Sequence, residues 1–212
     1  MKTKIAFCSL LFVLLTSCNS NGQTKKLSLQ PKPGQAIAVF AEGCFWCSEH
    51  VFESVVGVTE VVSGYSGGKT KNPTYKMVGT NTTGYAESVL VYYDPKKVSY
   101  SELVTVFFAS HDPTTLNRQG PDSGSSYRSI AFYRNAEEEK IIKEKIKSLT
   151  KNNVFPDGIV TEIKPLSEFY IAEDYHQDYV KKNPNDRYVE GVSLPRYELF
   201  KKTYKGKLKS NS

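Results

Sequence analysis

Two cysteines three positions apart, Cys44 and Cys47, are the residues of this sequence best suited to chemistry, and the only tryptophan, Trp46, lies between them. A strand-like run at residues 36–41 leads into the pair, and a helix-like run at residues 48–56 follows it. A cysteine at the start of a helix meets free backbone N–H groups and the positive end of the helix dipole, which favour a thiolate. A second thiol one turn further on can close a disulfide with the first. The pattern therefore predicts thiolate redox chemistry, with the pKa of Cys44 below its ordinary value of about 8.5.

The cysteine pair has two alternative interpretations that involve no catalysis. A structural zinc ion takes four ligands, usually from two such pairs. No cysteine follows Cys47, and the three histidines, His50, His111 and His176, show no ligand spacing. The sequence therefore predicts no metal site. An inert buried disulfide stays open as an alternative if the chain is exported to an oxidising compartment.

The N-terminal region indicates export. Residues 1–17 begin with a short basic stretch, and their apolar run at residues 5–15 is too short to span a bilayer, as in a secretory signal peptide. The run ends in Leu15-Thr16-Ser17-Cys18, which resembles a bacterial lipobox. We therefore expect cleavage before Cys18, a lipid on that cysteine and a bacterial cell-envelope location, lipid-anchored or periplasmic. A plain signal peptide with an incidental cysteine is the alternative. Residues 18–35 are polar and are predicted to form a flexible tether.

The charge of the chain is mildly basic. The full sequence has 28 basic and 22 acidic residues, a net charge of +6, and removal of Lys2 and Lys4 with the signal peptide leaves +4. Much of the excess lies in the basic tail at residues 201–212, which we interpret as a solvated end of the chain rather than a nucleic-acid site. The sequence contains no Walker or GxGxxG nucleotide motif.

Residues 36–200 have the size and the mixed pattern of a single compact domain. Runs rich in β-branched and aromatic residues predict strands, and amphipathic runs between them predict helices. The predicted strands are residues 36–41, 58–62, 86–93, 129–133 and 159–163, and the predicted helices start near residues 48, 99 and 137, with a short final one at 173–181. Because helices and strands alternate without a regular βαβ rhythm, we expect an α+β fold with a mixed sheet, flanking helices and long functional loops.

Two long segments, residues 63–84 and 110–127, are rich in Gly, Pro, Ser, Thr and Asn and are predicted to be loops. Loops of this length in a compact domain usually carry function. These loops and their neighbours contain an ordered set of short motifs: GCFW, GYSGG, NPTY, TGYAE, HDPTTLNRQGPD, YRS and AEDYHQ. The ordered set closely resembles the peptide methionine sulfoxide reductases of the A class, over nearly the whole domain.

The resemblance implies a reaction and the groups that perform it. The oxygen of a sulfoxide is a poor leaving group until it is protonated, so its reduction needs a thiolate, an acid and hydrogen-bond donors. By resemblance, Cys44 is the nucleophile, and Glu87 is the proton donor, kept protonated by an apolar pocket. The phenols of Tyr75 and Tyr127 match the residues that hydrogen-bond the oxygen. Taken singly, each of these residues has an equally good structural interpretation.

The same resemblance implies how the substrate is held. Phe45 and Trp46 match the wall that holds the S-methyl group, which selects the S epimer, and Asp122 matches a polar residue near the substrate backbone. His176 lies in a matching stretch, but we interpret it as a structural histidine. The family's fold is a ferredoxin-like sandwich. Its members act on oxidised proteins or peptides and need no bound cofactor, only an external thiol reductant such as a thioredoxin-like protein.

The sequence departs from the common pattern of the family in four places. Most members have glycine where Cys47 stands, and many carry recycling cysteines near the C-terminus, which this chain lacks. We therefore predict recycling through a Cys44–Cys47 disulfide that a thioredoxin-like donor reopens. Tyr85 stands where a histidine is usual, and Ser125 and Ser126 replace a Thr-Gln pair.

Two other function classes stay open. A CxxC thiol–disulfide oxidoreductase of the cell envelope would share the strand–CxxC–helix pattern. Such an enzyme has no need of Glu87, Tyr75 and Tyr127 as an ordered set, so those residues discriminate against it. The third class is a non-enzymatic surface lipoprotein that uses its loops for binding. We expect a monomer that contacts the membrane through its lipid anchor and has no nucleic-acid partner.

Overall fold

The computed structural model describes residues 24–210. Strands in this part of the chain form a six-stranded sheet and a small hairpin. The strands are β1 (Ala36–Glu42), β2 (Val58–Ser66), β3 (Ala86–Tyr93), β4 (Arg118–Gln119), β5 (Asp122–Ser123), β6 (Ser129–Tyr133), β7 (Glu162–Pro165) and β8 (Phe169–Ile171). The α-helices are α1 (Phe45–Glu53), α2 (Tyr75–Val78), α3 (Tyr100–Ser110), α4 (Ala136–Lys151), α5 (Tyr179–Lys182) and α6 (Leu194–Thr203). Short 3-10 turns cover Ser125–Tyr127 and Asp174–His176, and a π-helical segment (Val189–Ser193) precedes α6.

The large sheet has the strand order β7-β6-β1-β3-β2-β8. Neighbouring strands are antiparallel, except for the parallel pair β6 and β7. The four central strands, with α1 after β1 and α3 after β3, have the βαββαβ connectivity of a ferredoxin-like fold. The prediction of an α+β domain with a mixed sheet and flanking helices is therefore confirmed.

Strand β1 is apolar along its length because both of its faces are covered. Ala38 and Phe40 point into the core shared with the helices, and Ile37 and Val39 point into a smaller core on the other face. The Phe40 ring stacks on that of Phe52 in α1, with their centroids 5.2 Å apart. This packing fixes α1 on the sheet, and the chain enters α1 directly from the end of β1.

The smaller core is partly covered by the segment that precedes β1. The Leu27 N–H donates to the Phe169 carbonyl at 2.9 Å, and the Ile171 N–H donates to the Lys25 carbonyl at 2.9 Å, so this segment pairs with the edge strand β8. Leu27 and Leu29 pack against the smaller core. Residues 24–29 are therefore attached to the domain rather than part of a free tether, because the two leucines offset the polar composition of residues 18–35.

The C-terminal segment also packs on the domain. Helix α6 ends at Thr203, and the Val56 N–H then donates to the Lys207 carbonyl at 3.0 Å. The Lys209 N–H donates to the Ser54 carbonyl at 2.8 Å. The backbone of residues 207–209 is thus docked at the end of α1, while the side chains of Lys201, Lys202, Lys205 and Lys207 stay exposed to solvent. Among residues 24–210, no helix is long and apolar enough to cross a membrane.

Several element boundaries differ from the sequence predictions. Strand β2 continues to Ser66, so the first long loop starts later than residue 63 and contains α2. The strand predicted at residues 159–163 lies at β7, where it pairs with β6. The helix predicted at residues 173–181 is interrupted at Asp178, whose φ of +54° is left-handed. The sequence does not predict β8, which is only three residues long, or α6, whose apolar residues do not form a single stripe.

Candidate active site

Cys44 is the N-cap of α1, at the end of the turn that leaves β1. Gly43 allows this turn, because its φ of +92° favours glycine and a Cβ there would lie 2.5 Å from the Gln119 side chain. The Cys44 carbonyl accepts hydrogen bonds from the Ser48 N–H at 3.3 Å and the Ser48 hydroxyl at 3.2 Å. The residue is only 5 % exposed, so its thiol lies in a nearly dry pocket.

Glu87 supplies a buried acid next to this thiol. It lies near the start of β3, and its Oε2 accepts a hydrogen bond from the Phe45 N–H at 3.1 Å. Phe45 directly follows Cys44, so this bond holds the carboxyl beside the helix start. Burial raises the pKa of Glu87 to about 8, against the opposing effect of the Phe45 hydrogen bond. The carboxyl is therefore mostly protonated at neutral pH, as an acid catalyst requires.

Two phenols complete the polar side of the pocket. Tyr75 begins α2, Tyr127 ends a 3-10 turn, and each phenol affects the pKa of the other. The Tyr75 N–H donates to Glu173 Oε1 at 2.9 Å, and the Tyr65 hydroxyl donates to Glu173 Oε2 at 2.9 Å, so one carboxylate fixes the start of α2. Burial raises the pKa of Tyr75 to about 12 and raises that of Tyr127 further. Both phenols keep their protons and can donate hydrogen bonds.

Aromatic rings form the apolar side. The rings of Phe45 and Tyr75 are stacked with their centroids 6.4 Å apart, and Trp46 stacks on Tyr179 at 3.7 Å. Trp46 Nε1 donates to His176 Nδ1 at 3.0 Å. Burial lowers the pKa of His176 to about 4, so the ring is neutral and accepts this bond. His176 thus positions Trp46.

Asp122 is linked to the nucleophile through Tyr188. The Tyr188 hydroxyl donates to Asp122 Oδ2. Tyr188 also acts on Cys44, where it lowers the pKa of the thiol against the larger effect of burial. Asp122 is half-buried in β5, at the edge of the pocket. The sequence does not predict Tyr188 as a site residue, because no local pattern marks it. Tyr188 directly precedes the π-helical segment that leads into α6, and the packing of that segment brings it to the site.

Cys47 lies one turn after Cys44, and both are free thiols. Cys47 Sγ lies 3.1 Å from the Ser193 hydroxyl. The neighbouring Cys44 thiol, the charge of Arg196 and the Ser193 hydroxyl lower the pKa of Cys47 to about 6, whereas burial raises the pKa of Cys44 well above its ordinary value. The prediction of a lowered Cys44 pKa is therefore wrong for the resting pair: burial outweighs the helix terminus, and the shared negative charge rests on Cys47.

Arg196 holds a positive charge behind Cys47, and the sequence gives no signal for it. Its Nη2 donates to Glu42 Oε1 at 2.7 Å, and its Nε donates to the Ser110 carbonyl at 2.6 Å. The Ser110 hydroxyl donates to Glu42 Oε2 at 2.8 Å. Burial raises the pKa of Glu42 to about 7. This buried ion pair joins α6 to the end of β1, directly behind the cysteine pair.

The remaining residues singled out in the sequence have other contacts. The Tyr85 hydroxyl donates to Glu168, so this replacement for the usual histidine does not contact Glu87. The Ser126 N–H donates to Asn81 Oδ1 at 2.9 Å and ties the 3-10 turn to the first loop. Among residues 24–210, no group of three His, Cys, Asp or Glu side chains is placed to hold a metal ion. Cys18 lies outside the described residues.

The structure thus brings all eight predicted residues of the domain into one region: Cys44, Cys47, Glu87, Tyr75, Tyr127, Phe45, Trp46 and Asp122. A buried thiol faces a protonated carboxyl and two phenols that can donate hydrogen bonds. This arrangement suits a thiol that attacks an atom bonded to a basic oxygen. The fold and the site together define a thiol-dependent oxidoreductase of the α+β class.

Comparison with known proteins identifies the family. The model of the peptide methionine sulfoxide reductase family matches residues 36–208. A peptide methionine sulfoxide reductase MsrA 1 of Rhodopirellula baltica is 48 % identical over 185 residues, covering 87 % of this chain and 95 % of that protein. An MsrA of Deinococcus radiodurans is 46 % identical over 187 residues, covering 88 % and 91 %. This chain belongs to the peptide methionine sulfoxide reductase family.

Solved structures agree with this assignment. The reduced form of Mxr1 from Saccharomyces cerevisiae superimposes with a TM-score of 0.69 at 35 % identity, covering 74 % of this chain and 91 % of that one. Methionine sulfoxide reductase A of Corynebacterium diphtheriae gives a TM-score of 0.66 at 36 % identity, covering 73 % and 78 %. The fold is therefore shared along most of the domain.

Proposed function

We propose that this chain reduces methionine S-sulfoxide in proteins and peptides to methionine, with Cys44 as the nucleophile and Glu87 as the acid. The observation that carries the proposal is the position of Glu87. Its protonated carboxyl is held by the Phe45 N–H at 3.1 Å, next to Cys44. Phe45 and Trp46 form the apolar wall for the S-methyl group, and Asp122 binds near the substrate backbone.

The first half-reaction transfers one oxygen atom. Cys44 passes its proton to the Cys47 thiolate, and its sulfur attacks the sulfoxide sulfur. Glu87 gives its proton to the oxygen, and Tyr75 and Tyr127 donate hydrogen bonds to it. Methionine leaves with two electrons, and the oxygen ends on Cys44 as a sulfenic acid. Glu87 regains its proton from solvent before the next cycle.

The second half-reaction removes the sulfenic acid. Cys47 attacks the Cys44 sulfur, water leaves, and a Cys44–Cys47 disulfide forms. Arg196 and the Ser193 hydroxyl favour the Cys47 thiolate that this step needs. A thioredoxin-like donor then reduces the disulfide with two thiols of its own. The related yeast Mxr1 has a solved structure in complex with Trx2, which supports a donor of this class.

Cys47→Ser is expected to uncouple the two half-reactions. The variant should release one equivalent of methionine per protein molecule and then stall when thioredoxin is the donor. A small thiol such as dithiothreitol should restore turnover, because it can reduce the sulfenic acid directly. The measurements are methionine release and peptide mapping of Cys44 after one equivalent of substrate. Turnover of this variant with thioredoxin at the wild-type rate would show that recycling does not pass through Cys47.

A two-substrate competition experiment distinguishes sulfoxide reduction from the alternative function, thiol–disulfide exchange on protein substrates. The wild-type protein is given an oxidised-methionine peptide and a disulfide-linked peptide at equal concentration, with dithiothreitol as reductant. We expect loss of the sulfoxide oxygen and no acceleration of disulfide reduction over dithiothreitol alone. The opposite result would favour the CxxC oxidoreductase.

We also propose that the protein is a monomer. Gel filtration with light scattering tests this oligomeric state.

We propose further that the mature chain is a lipoprotein of the bacterial cell envelope, anchored at Cys18. The Thr24 hydroxyl donates to the Pro73 carbonyl, two residues before Tyr75. The five residues between Cys18 and Thr24 make six Cα-to-Cα steps, which span at most about 20 Å. The two segments joined by the Thr24–Pro73 bond carry five exposed lysines, of which Lys26 is paired with Glu168: Lys25, Lys26, Lys69, Lys71 and Lys76. A lipid at Cys18 would therefore hold the rim of the active site close to an anionic membrane surface.

The anchor proposal predicts that the mature chain fractionates with membranes and that Cys18→Ser releases it with its reductase activity intact. Intact mass of the mature protein identifies acyl chains on Cys18. Energy transfer from Trp46, the only tryptophan, to a labelled lipid measures the distance between the active site and the membrane. A soluble mature form with an unmodified Cys18, or with that residue removed, contradicts the proposal.

A further inference from the structure

A large open groove lies beside Cys47, between the end of α3, the end of α4 and helix α6. Its volume is about 920 Å³, near the upper end of the range for binding pockets. Apolar side chains form its walls: Phe108, Leu149, Val154, Phe155, Leu199 and Phe200. Val154 is 51 % exposed and Leu199 is 62 % exposed. Large apolar side chains that stay exposed on a concave surface are typical of a binding site.

The groove is continuous with the active site at its polar end. Asp122 and Tyr188 line the groove, and the Tyr188 hydroxyl donates to Asp122. The Tyr188 ring also meets the Trp46 ring of the active site edge-on, with the centroids 5.7 Å apart. Cys44 and Glu87 do not line the groove. The reaction pocket and the groove are therefore two compartments that share the Asp122–Tyr188 pair.

We propose that the groove binds the residues that flank the oxidised methionine, and that it favours extended segments with large apolar side chains. This inference rests on the proposed function. The sulfoxide and the S-methyl group occupy the pocket of Cys44 and Glu87, and the neighbouring residues extend past Asp122 towards Leu199. Apolar neighbours of a methionine are buried in a folded protein, so the groove selects unfolded or locally unfolded segments as substrates.

Two other occupants fit the structure less well. The C-terminal segment is already docked on Ser54 and Val56, away from the groove. A thiol donor must reach one sulfur of the disulfide. Cys44 does not line the groove, and Cys47, which does, is only 2 % exposed, so a donor seated in the groove has no open path to either sulfur.

The size of the effect follows from apolar burial. Covering a leucine-sized side chain in the groove is worth about tenfold or more in affinity. The probes are two seven-residue peptides with a central methionine S-sulfoxide, one with leucine neighbours and one with serine neighbours, and N-acetyl-methionine S-sulfoxide as a substrate without neighbours. Dithiothreitol is the reductant, so that no protein donor competes for the surface.

Wild-type protein is expected to prefer the leucine peptide over the serine peptide by about tenfold or more in kcat/KM. Leu199→Asp should lower the ratio of kcat/KM for the leucine peptide to that for N-acetyl-methionine S-sulfoxide by a similar factor. The matched control is Leu116→Asp, which replaces a leucine that is 71 % exposed and does not line the groove. This control should leave the ratio unchanged.

Equal kcat/KM for the two peptides, or an equal fall of the ratio in both variants, would overturn the inference. The inference would also be overturned if Leu199→Asp kept the peptide preference and raised the KM for thioredoxin. That result would mean that the groove binds the thiol donor and not the substrate. Failure of the proposed function itself gives a different result, since the wild-type protein would then reduce none of the three sulfoxides.

Discussion

Cys44→Ser is expected to abolish reduction of methionine sulfoxide, in the first turnover as well as in steady state. Serine differs by one atom and is a preferred N-cap residue, so the start of α1 and the fold should persist. The serine hydroxyl is a far weaker nucleophile than a thiolate and cannot carry the oxygen as a sulfenic acid. The rate should therefore fall by at least about a thousandfold. The measurement is the loss of one oxygen from a methionine-sulfoxide peptide, followed by mass spectrometry.

Cys47→Ser is the matched control for this prediction, because it makes the same substitution one turn further along α1. It should keep the first turnover, with one methionine released per protein molecule, although the burst is expected to be slower without the Cys47 partner. If Cys44→Ser also releases one equivalent of methionine, some other group is the nucleophile.

Glu87→Gln is expected to have the next largest effect. Glutamine has the same shape and its oxygen can still accept the Phe45 hydrogen bond, but it has no acid proton to give. General acid catalysis is typically worth about 10²- to 10⁴-fold, roughly 3–5 kcal/mol of barrier. We expect the single-turnover rate of sulfoxide reduction to fall within that range, with little change in the binding of the methionine product.

The pH dependence gives a second readout of the same group. Glu87 must be protonated, so kcat/KM should fall as the pH rises through about 8. The cysteine pair must carry one negative charge, so kcat/KM should also fall as the pH drops through about 6. The wild-type profile should therefore be bell-shaped, and Glu87→Gln should lose the alkaline limb caused by this carboxyl. A Glu87→Gln rate within about twofold of wild type would identify another acid.

The sequence predicts the parts of the molecule whose signals are local. The apolar runs of β1 and β3 are such signals, and so is the capping pattern at the start of α3, where Ser99 Oγ accepts a hydrogen bond from the Glu102 N–H at 3.1 Å. The residues matched to the family motifs, Cys44 and Glu87 among them, also come together as expected. Cys44 and Glu87 lie within or next to a strand or helix that the sequence indicates clearly, whereas Tyr75, Asp122 and Tyr127 lie in the two segments predicted to be loops.

Long-range contacts are not predictable in this way. Tyr188, Ser193 and Arg196 reach the cysteine pair from the far end of the chain, and no spacing in the sequence links them to Cys44. Burial raises the pKa of Cys44, and the Cys44 thiol, Arg196 and Ser193 lower that of Cys47, which reverses the expected order of the two values. A helix terminus is visible in the sequence, whereas the burial of a thiol and the charge of a distant arginine depend on packing.

The edges of the domain were hard to predict for a related reason. The composition of residues 24–29 predicts a polar linker, yet Leu27 and Leu29 pack against the smaller core of the sheet. The backbone of Lys25 and Leu27 pairs with the edge of the short strand β8. Such segments are ordered by a surface that exists only once the domain has folded.

The most direct test of the central claim is a single turnover of the wild-type protein without any reductant. One equivalent of a peptide carrying methionine S-sulfoxide is added, and the peptide mass, the free thiols and the disulfide map are measured together. We predict loss of one oxygen per protein molecule, disappearance of both free thiols of the domain and a Cys44–Cys47 disulfide, with the R-sulfoxide peptide left intact. Loss of oxygen with Cys44 still a free thiol, or no loss of oxygen from the S epimer, would contradict the account.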